Sequence, residues 1–295
     1  MSLVFDGCSS NLSTKDHEHV RRSAKTAATV VLALDAVAYT DQQACLANVQ
    51  NKASFIELLS QKLCSVGHAV TQASSDADTS IVRVALQTAT TGQHTTVVAD
   101  DTDILVLLVF HWQSCMAEVH MQKKARGKTK VASTTISIPL VQQLMGCETA
   151  RRLLVIHALS GCDTTSAVFG HGKVSAFKKL SANSLGNLCD AVSSSDSSQS
   201  DVGHAGCQLL VALYGGTVRV ESLDKLRYTT YMRLCSSSKT AITPQQLPPT
   251  SRAAYYHSLR AHHQIVDWKS LSTQQLNPTD WFQLQLIRNQ HQMIC

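Results

Sequence analysis

The alternation of apolar and polar residues predicts strands and helices in turn along the first half of the chain. Short apolar runs predict strands at Ser2–Phe5, His68–Gln72 and Thr95–Val98. Apolar residues at helical spacing predict amphipathic helices over Asn51–Val66 and Ile81–Thr90. This order is typical of an α/β fold.

A second set of patterns predicts a hairpin and then helices. An edge strand is expected at Met116–Gln122 and a β-rich return at Val131–Ile138, joined by the basic turn Lys123–Lys130. The remaining predicted helices are Val30–Tyr39, Pro139–Met145, Thr149–Leu159, Gly206–Tyr214, Leu223–Leu234 and Ser251–His262. The segment 192–201, with six serines between Ser193 and Ser200, predicts a linker. We therefore expect one domain over residues 1–191 and a helical C-terminal region over 202–295.

The stretch TVVADDTDILVLLVF, residues 96–110, combines a strand pattern with clustered acids. Asp100, Asp101 and Asp103 follow the strand and precede a second apolar run. In α/β sheets, ligands bind beyond the carboxyl ends of the strands. Neighbouring carboxylates need a compensating cation, and their hard oxygen donors suit Mg²⁺ or Mn²⁺. The alternative is that Asp101 or Asp103 only caps the following helix.

Composition narrows the classes of protein without selecting one. The 295 residues are 44% hydrophobic, which excludes a disordered chain, and the formal net charge of +5 permits a polyanionic partner without requiring one. Ten cysteines contain no CxxC pair, so no zinc finger is expected. With no signal peptide and no apolar run of membrane-spanning length, we expect an intracellular protein of nucleus or cytoplasm, not secreted, with reduced thiols.

The acids form a wider pattern, because most of them follow a strand or open a helix. Its members are Asp6, Asp76, Asp78, Asp100, Asp101, Asp103 and Asp163. If the strands are parallel, these carboxylates can meet at one sheet edge, as a two-metal phosphodiester hydrolase requires. The alternative takes Asp76 and Asp78 as helix-start residues and Asp163 as a turn former.

Five short motifs over residues 2–180 resemble the PIN-like nuclease fold in its flap-endonuclease branch. They are VFDG (4–7), DADT (76–79), DDTD (100–103), LSGCD (159–163) and GHGK (170–173). The strings ADDTDILVLL and HALSGCDTTS are also similar to those of a set of animal PIN-like proteins derived from mobile elements. The resemblance implies a three-layer α/β fold with a central, mostly parallel sheet.

The resemblance also implies a site and a partner. Asp101, Asp103 and Asp163 would be catalytic. The metal ligands, for Mg²⁺ or Mn²⁺, would be Asp6, Asp76, Asp78, Asp101, Asp103 and Asp163. Contacts to nucleic acid, DNA before RNA, would come from a basic helix containing Arg21 and Arg22 and from the phosphate-gripping residues Gly170, Gly172 and Lys173.

The basic turn Lys123–Lys130 has two interpretations. Its five basic residues, with no acids among them, could contact phosphates through Lys123, Lys124, Arg126 and Lys128. Alternatively, it is a solvated hairpin tip that discourages edge pairing.

Two departures from the family pattern affect the expected activity. The family places a first acidic strand upstream of VFDG, and this chain starts at VFDG, which predicts a fragment or a decayed copy. Asp76 and Asp78 stand where the family usually has Glu, one methylene longer. Three functions are therefore weighed: a metal-dependent nuclease, a non-cutting nucleic-acid-binding remnant, and a nucleotide-sugar transferase using Asp101 and Asp103.

Overall fold

The computed structural model describes residues 1–7, 28–33, 41–73, 77–123, 134–237 and 241–272. The described chain has helices and small sheets with parallel strand pairs, so the α/β class is confirmed. It divides into two compact units, an N-terminal unit up to Ile81 and a second unit spanning Val82–Ser272.

The N-terminal unit contains a parallel pair of strands, β1 (Ser2–Phe5) and β2 (Ala69–Gln72). Between them in sequence lie helices α1 (Gln42–Ala47) and α2 (Val49–Ser65). Gly67 takes a φ of +84° after α2, a conformation that favours glycine, and turns the chain into β2. Both predicted strands and the helix over 51–66 are confirmed.

The helix predicted at Val30–Tyr39 is wrong for its described part, residues 30–33. Residues 28–33 contain no helix, and Val31 is 94% exposed. The buried Asn51 side chain holds this segment instead, because its Oδ1 accepts from Val30 N at 2.8 Å and its Nδ2 donates to Ala28 O at 3.0 Å. The contact with Asn51, and not helix formation, therefore sets the conformation of this apolar segment.

The second unit contains a three-stranded sheet of β3 (Thr95–Val98), β4 (Val119–Lys123) and β5 (Thr134–Ser137). The β3–β4 pair is parallel, with Thr95 opposite Val119, and the β4–β5 pair is antiparallel. The strand predicted as an edge is therefore the middle strand. Polar residues of β4 alternate with Val119 and Met121, which are fully buried. An edge strand shows the same alternation in its sequence, so the sequence does not distinguish the two positions.

Helices make up most of the second unit. In chain order they are α3 (Ala77–Thr90, which begins in the N-terminal unit), α4 (Thr102–His111), α5 (Ile138–Met145), α6 (Cys147–Leu159), α7 (Lys173–Leu180), α8 (Gly186–Ser193), α9 (Gln199–Leu213), α10 (Leu223–Ser237) and α11 (Ser251–Lys269). Short 3-10 turns lie at Asn183–Leu185, Pro244–Gln246 and Ser270–Ser272.

Helix α4 lies inside the core because it is apolar on every side. Leu107 and Leu108 are fully buried, and α4 packs against α6. Helix α6 in turn contacts α11. The position of the acids at the start of α4 is thereby set by the burial of the rest of that helix.

Helices α9 and α11 approach each other closely at two glycines. A Cβ at Gly203 would overlap the Tyr255 ring, and one at Gly206 would overlap Ser258. Ser258 is fully buried, and its hydroxyl donates to Ala254 O at 2.8 Å. The absence of side chains at both glycines therefore permits this close contact.

The serine-rich run is a turn between two packed helices and not an extended linker. Residues 194–197 connect α8 to α9, and the Ser198 hydroxyl caps α9 by accepting from Asp201 N at 3.2 Å. Helices on both sides of the run pack on each other. Serine is favoured at helix N-caps as well as in linkers, and here capping prevails.

Candidate functional site

The acids after β3 lie where the strand leads into α4. Ala99 N donates to Gln122 O at 3.1 Å, so the β-ladder continues up to Asp100. Asp101 is exposed and caps α4, because its Oδ1 accepts from Asp103 N at 2.9 Å. The capping alternative therefore holds for Asp101, while its carboxylate stays at the surface.

Asp103 is directed toward helix α6. The His157 Nε2–H donates to Asp103 Oδ1 over 2.7 Å, with the His157 side chain 3% exposed and that of Asp103 17% exposed. The His157 ring also packs against Trp268 of α11, with ring centroids 5.7 Å apart. This hydrogen bond ties the start of α4 to the end of α6 inside the core.

The loop after α6 places Asp163 at the surface in a constrained turn. Gly161 has a φ of +105°, and a Cβ there would overlap the Ala167 backbone. Thr165 Oγ1 donates to Ala158 O at 2.7 Å and accepts from Cys162 N at 3.0 Å. These hydrogen bonds fix the backbone of the turn that contains Asp163.

Helix α11 supports the same loop from its other side. The Thr164 hydroxyl donates to Gln264 Oε1 at 2.6 Å, and the buried His257 Nε2–H donates to Leu159 O at 3.0 Å. The loop carrying Asp163 is therefore fixed by contacts at both ends.

Lys173 binds backbone carbonyls at the end of α6 and in the loop that follows it. Its ammonium donates to His157 O at 2.8 Å and to Gly161 O, so it caps the C-terminal end of α6. Burial lowers the pKa of Lys173, while nearby Cys162, Asp103 and Asp163 oppose that shift. Asp103 and Asp163 thus both lie close enough to stabilise one ammonium group, although 60 residues separate them in the sequence, from 103 to 163.

The other predicted residues of the second unit are more peripheral. Asp100 is partly buried next to Asp101, and Lys123 ends β4. Gly170 has a φ of +75°, and Gly172 is the N-cap of α7, with open space around both. Lys173, predicted to contact phosphate, is instead engaged by carbonyl oxygens of its own chain.

Two predicted ligands belong to the N-terminal unit. Asp6 accepts from Lys52 Nζ at 3.1 Å, and Asp78 lies in the first turn of α3. The other predicted site residues, Asp76, Arg21, Arg22, Lys124, Arg126 and Lys128, lie outside the described residues.

Carboxylate oxygens are the donors that a hard cation prefers, and Asp101 and Asp163 are both exposed. Within the described ranges, no group of three or more His, Cys, Asp or Glu side chains is arranged to hold a metal ion. The same region already contains one cation, the Lys173 ammonium.

Among the described cysteines, Cys45, Cys64, Cys115, Cys147, Cys162, Cys189, Cys207 and Cys235 are thiols. In the described part of the chain, no helix combines the length and apolar character needed to cross a bilayer.

His157 begins the string HALSGCDTTS, but the sequence analysis assigned it no role in the site. It lies six residues before Asp163, inside a helix whose other buried residues are mostly apolar. A histidine in such a position is usually a core residue, and only the tertiary structure shows that Asp103 faces it.

Comparison of the chain with protein-family models, with curated proteins and with solved structures finds no match.

Proposed function

We propose that the chain is a PIN-like, nuclease-type domain that hydrolyses phosphodiester bonds in structured nucleic acid. The observation that supports this most strongly is that Lys173 Nζ donates to His157 O and to Gly161 O, since His157 binds Asp103 and Gly161 lies two residues before Asp163. The acidic motifs predict for such a nuclease that these two acids act together beyond the carboxyl end of a strand. The finer fold, a three-layer PIN-like arrangement, is part of the proposal.

In this proposal, each side chain has a defined task. Asp101 and Asp163, at the surface, face the phosphodiester. Asp103 is oriented by His157, and a carboxylate held at 2.7 Å by a buried imidazole has little rotational freedom. Lys173 places a positive charge beside the acids and reduces their mutual repulsion.

Mg²⁺ or Mn²⁺ is the proposed cofactor. Asp101, Asp103 and Asp163 are the residues expected to bind it, although within the described ranges they are not arranged to hold a metal ion. A bound divalent cation would supply positive charge that stabilises the transition state of phosphodiester cleavage. Asp6 and Asp78 are proposed as further acids of this domain. DNA is the proposed substrate ahead of RNA.

A second candidate is a domain that binds nucleic acid without cutting it. The supporting observation is that the carboxylates have protein partners: Asp103 binds His157, and Asp6 binds Lys52. With these carboxylates already bound to groups of the protein, the need for a metal is smaller. Binding would then depend on basic residues and weaken as salt rises.

Cleavage of labelled DNA tests both candidates. The substrates are a 5′-flap duplex, a nicked duplex and a single strand, each with Mg²⁺, Mn²⁺ or a chelator. Asp103→Asn and Asp163→Asn are compared with Asp196→Asn, an exposed carboxylate in the turn between α8 and α9. All three changes remove one negative charge, and only the first two affect the proposed site.

The first candidate predicts cutting that needs the metal and is lost in the two site variants but kept in Asp196→Asn. The second predicts salt-sensitive binding, with or without chelator, and no cutting by any form. Absence of both cutting and binding would contradict both candidates.

A further inference from the structure

A cavity of about 350 Å³, open to solvent, is lined by residues of helices α9 and α11 and of the start of α10. Helix α9 contributes Cys207 and Val211, helix α11 contributes Arg252 and Tyr256, and α10 contributes Leu223. None of these residues belongs to the site around Asp103. The volume lies within the range of ~300–1,000 Å³ typical of small-molecule pockets.

One wall of the cavity is aromatic and rigid. The Tyr255 ring lies directly on Gly203, and its hydroxyl donates to Gln199 O at 3.2 Å. Tyr256 stands edge-to-face against Tyr255, with ring centroids 5.6 Å apart, and is 51% exposed. An accessible ring beside a fixed one is a suitable stacking surface for a flat aromatic ligand.

A cation lies at the rim of the cavity. Arg252 is exposed in the first turn of α11, where the helix dipole adds positive potential. Within the described ranges, its guanidinium makes no ion pair. An arginine at such a position can bind an anion in bidentate geometry.

The nearby carboxylate of Asp224 is already engaged. It accepts from Ser251 N at 3.0 Å, and donation from Ser251 and proximity to Arg227 hold the pKa of Asp224 below its ordinary value. Its charge is therefore offset by groups of the protein, and Arg252 remains the cation that faces outward.

The floor of the cavity is apolar and uncharged. Val211 and Leu223 are each 1% exposed. Burial raises the pKa of the Cys207 thiol to about 11, with a smaller contribution from Asp224, so the thiol is neutral at pH 7. A floor of this kind suits the ring of a ligand and not its charged group.

We propose that this cavity binds a nucleotide, with the base against Tyr256 and the phosphate on Arg252. An aromatic wall, an apolar floor and one cation at the rim match a flat base that bears an anionic group. The nucleotide can be a free mononucleotide or an unpaired residue of a nucleic-acid strand, since both present the same chemistry. The proposal goes beyond the nuclease function, because binding here requires no cleavage.

Binding measured in chelator tests the proposal separately from cleavage. The probes are adenosine 5′-monophosphate, adenosine, a labelled single-stranded 10-mer and its duplex. Tyr256→Ala and Arg252→Gln are compared with Tyr228→Ala and Arg233→Gln, which remove the same groups from exposed positions of α10 outside the cavity. A thermal melt of each variant checks folding, and Tyr256→Trp retains a stacking surface if Tyr256→Ala fails to fold.

Tyr256→Ala and Arg252→Gln should each weaken binding about tenfold or more, because each removes either the stacking on the base or a phosphate contact. Both α10 variants should bind like the wild type. Adenosine should bind more weakly than its monophosphate. Binding of the monophosphate identifies a pocket open to free nucleotide, and binding of the single strand alone identifies an unpaired residue as the occupant.

Equal affinity of the wild type, Tyr256→Ala and Arg252→Gln for every probe would overturn the proposal, as would no binding of any probe. Asp103→Asn should retain this binding even where it abolishes cleavage. The two proposals can therefore fail independently.

Discussion

Asp103 and His157 are joined by a 2.7 Å hydrogen bond although 54 residues separate them in the sequence. The bond lies almost wholly inside the protein, so its carboxylate has little access to water as a replacement partner. It therefore couples the stability of the core to the geometry of the proposed site.

Replacing His157 should destabilise the protein through this bond. His157→Phe keeps an aromatic ring and removes the donor, and we expect a loss of about 1–3 kcal/mol in the free energy of unfolding by urea. His263→Phe, at an exposed position of α11, should change it by less than about 0.5 kcal/mol. If Asp103→Asn and His157→Phe destabilise additively when combined, the two residues are not coupled as described.

Lys173 should contribute to stability as the cap of α6. Lys173→Met keeps most of the aliphatic stem and removes the donations to His157 O and Gly161 O, so we expect a loss of about 1–3 kcal/mol. Lys178→Met is the matched change, since Lys178 is exposed on the same helix. Equal stability of the two variants in urea denaturation would show that Lys173 is not a structural cap.

Acid should destabilise the second unit through two buried histidines. Burial lowers the pKa of His111 and of His257 below the ordinary value of 6.5. His111 donates to Trp268 O and His257 donates to Leu159 O, and these bonds oppose the shift in pKa. Arg260 lowers the pKa of His257 further. Between the lowered pKa and 6.5 the unfolded chain binds protons that the folded chain does not. The free energy of unfolding should therefore fall as pH drops through this interval, by at most about 1.4 kcal/mol per pH unit for each histidine.

Urea denaturation at several values between pH 7.5 and 5 measures this slope. His257→Gln can keep a donor to Leu159 O without titrating, so it should flatten the dependence below pH 6.5. An unchanged slope in both His257→Gln and His111→Gln would contradict the assignment.

The contact between α9 and α11 should tolerate no side chain at Gly206. Gly206→Ala places a methyl group against Ser258, and we expect a loss of about 1–3 kcal/mol from overpacking. Gly172→Ala is the control, because a Cβ there meets nothing within 4 Å and its φ is −70°. A melting temperature for Gly206→Ala equal to that of Gly172→Ala would show that the helices can separate at no cost.

Local sequence patterns predict where the helices and strands of this protein lie better than they predict which of these elements pair or pack together. Periodicity identified α2, β3 and α6, and acids after a strand correctly placed Asp101 and Asp103 at its carboxyl end. Whether β4 lies at the edge or in the middle depends on what pairs with it, and periodicity carries no such information. The serine run shows the same limit, since its role as a turn follows from the packing of the helices on either side.

The candidate site was only partly predictable for a related reason. Asp163 could be associated with Asp103 by motif order, but the orientation of Lys173 could not, because GHGK indicates a glycine-rich turn and not the direction of its lysine. His157 begins the string HALSGCDTTS, but nothing in that string indicates which residue its side chain contacts. Its partner is identified only when α4 and α6 are packed together.

The central claim, that Asp103 and Asp163 act in one site, is tested most directly by a double-mutant cycle on the rate of metal-dependent DNA cleavage. The forms compared are the wild type, Asp103→Asn, Asp163→Asn and the double variant. We predict that each single change reduces the rate at least 100-fold and that the double variant is about as slow as the slower single one. Cleavage at the wild-type rate by either single variant would contradict the claim.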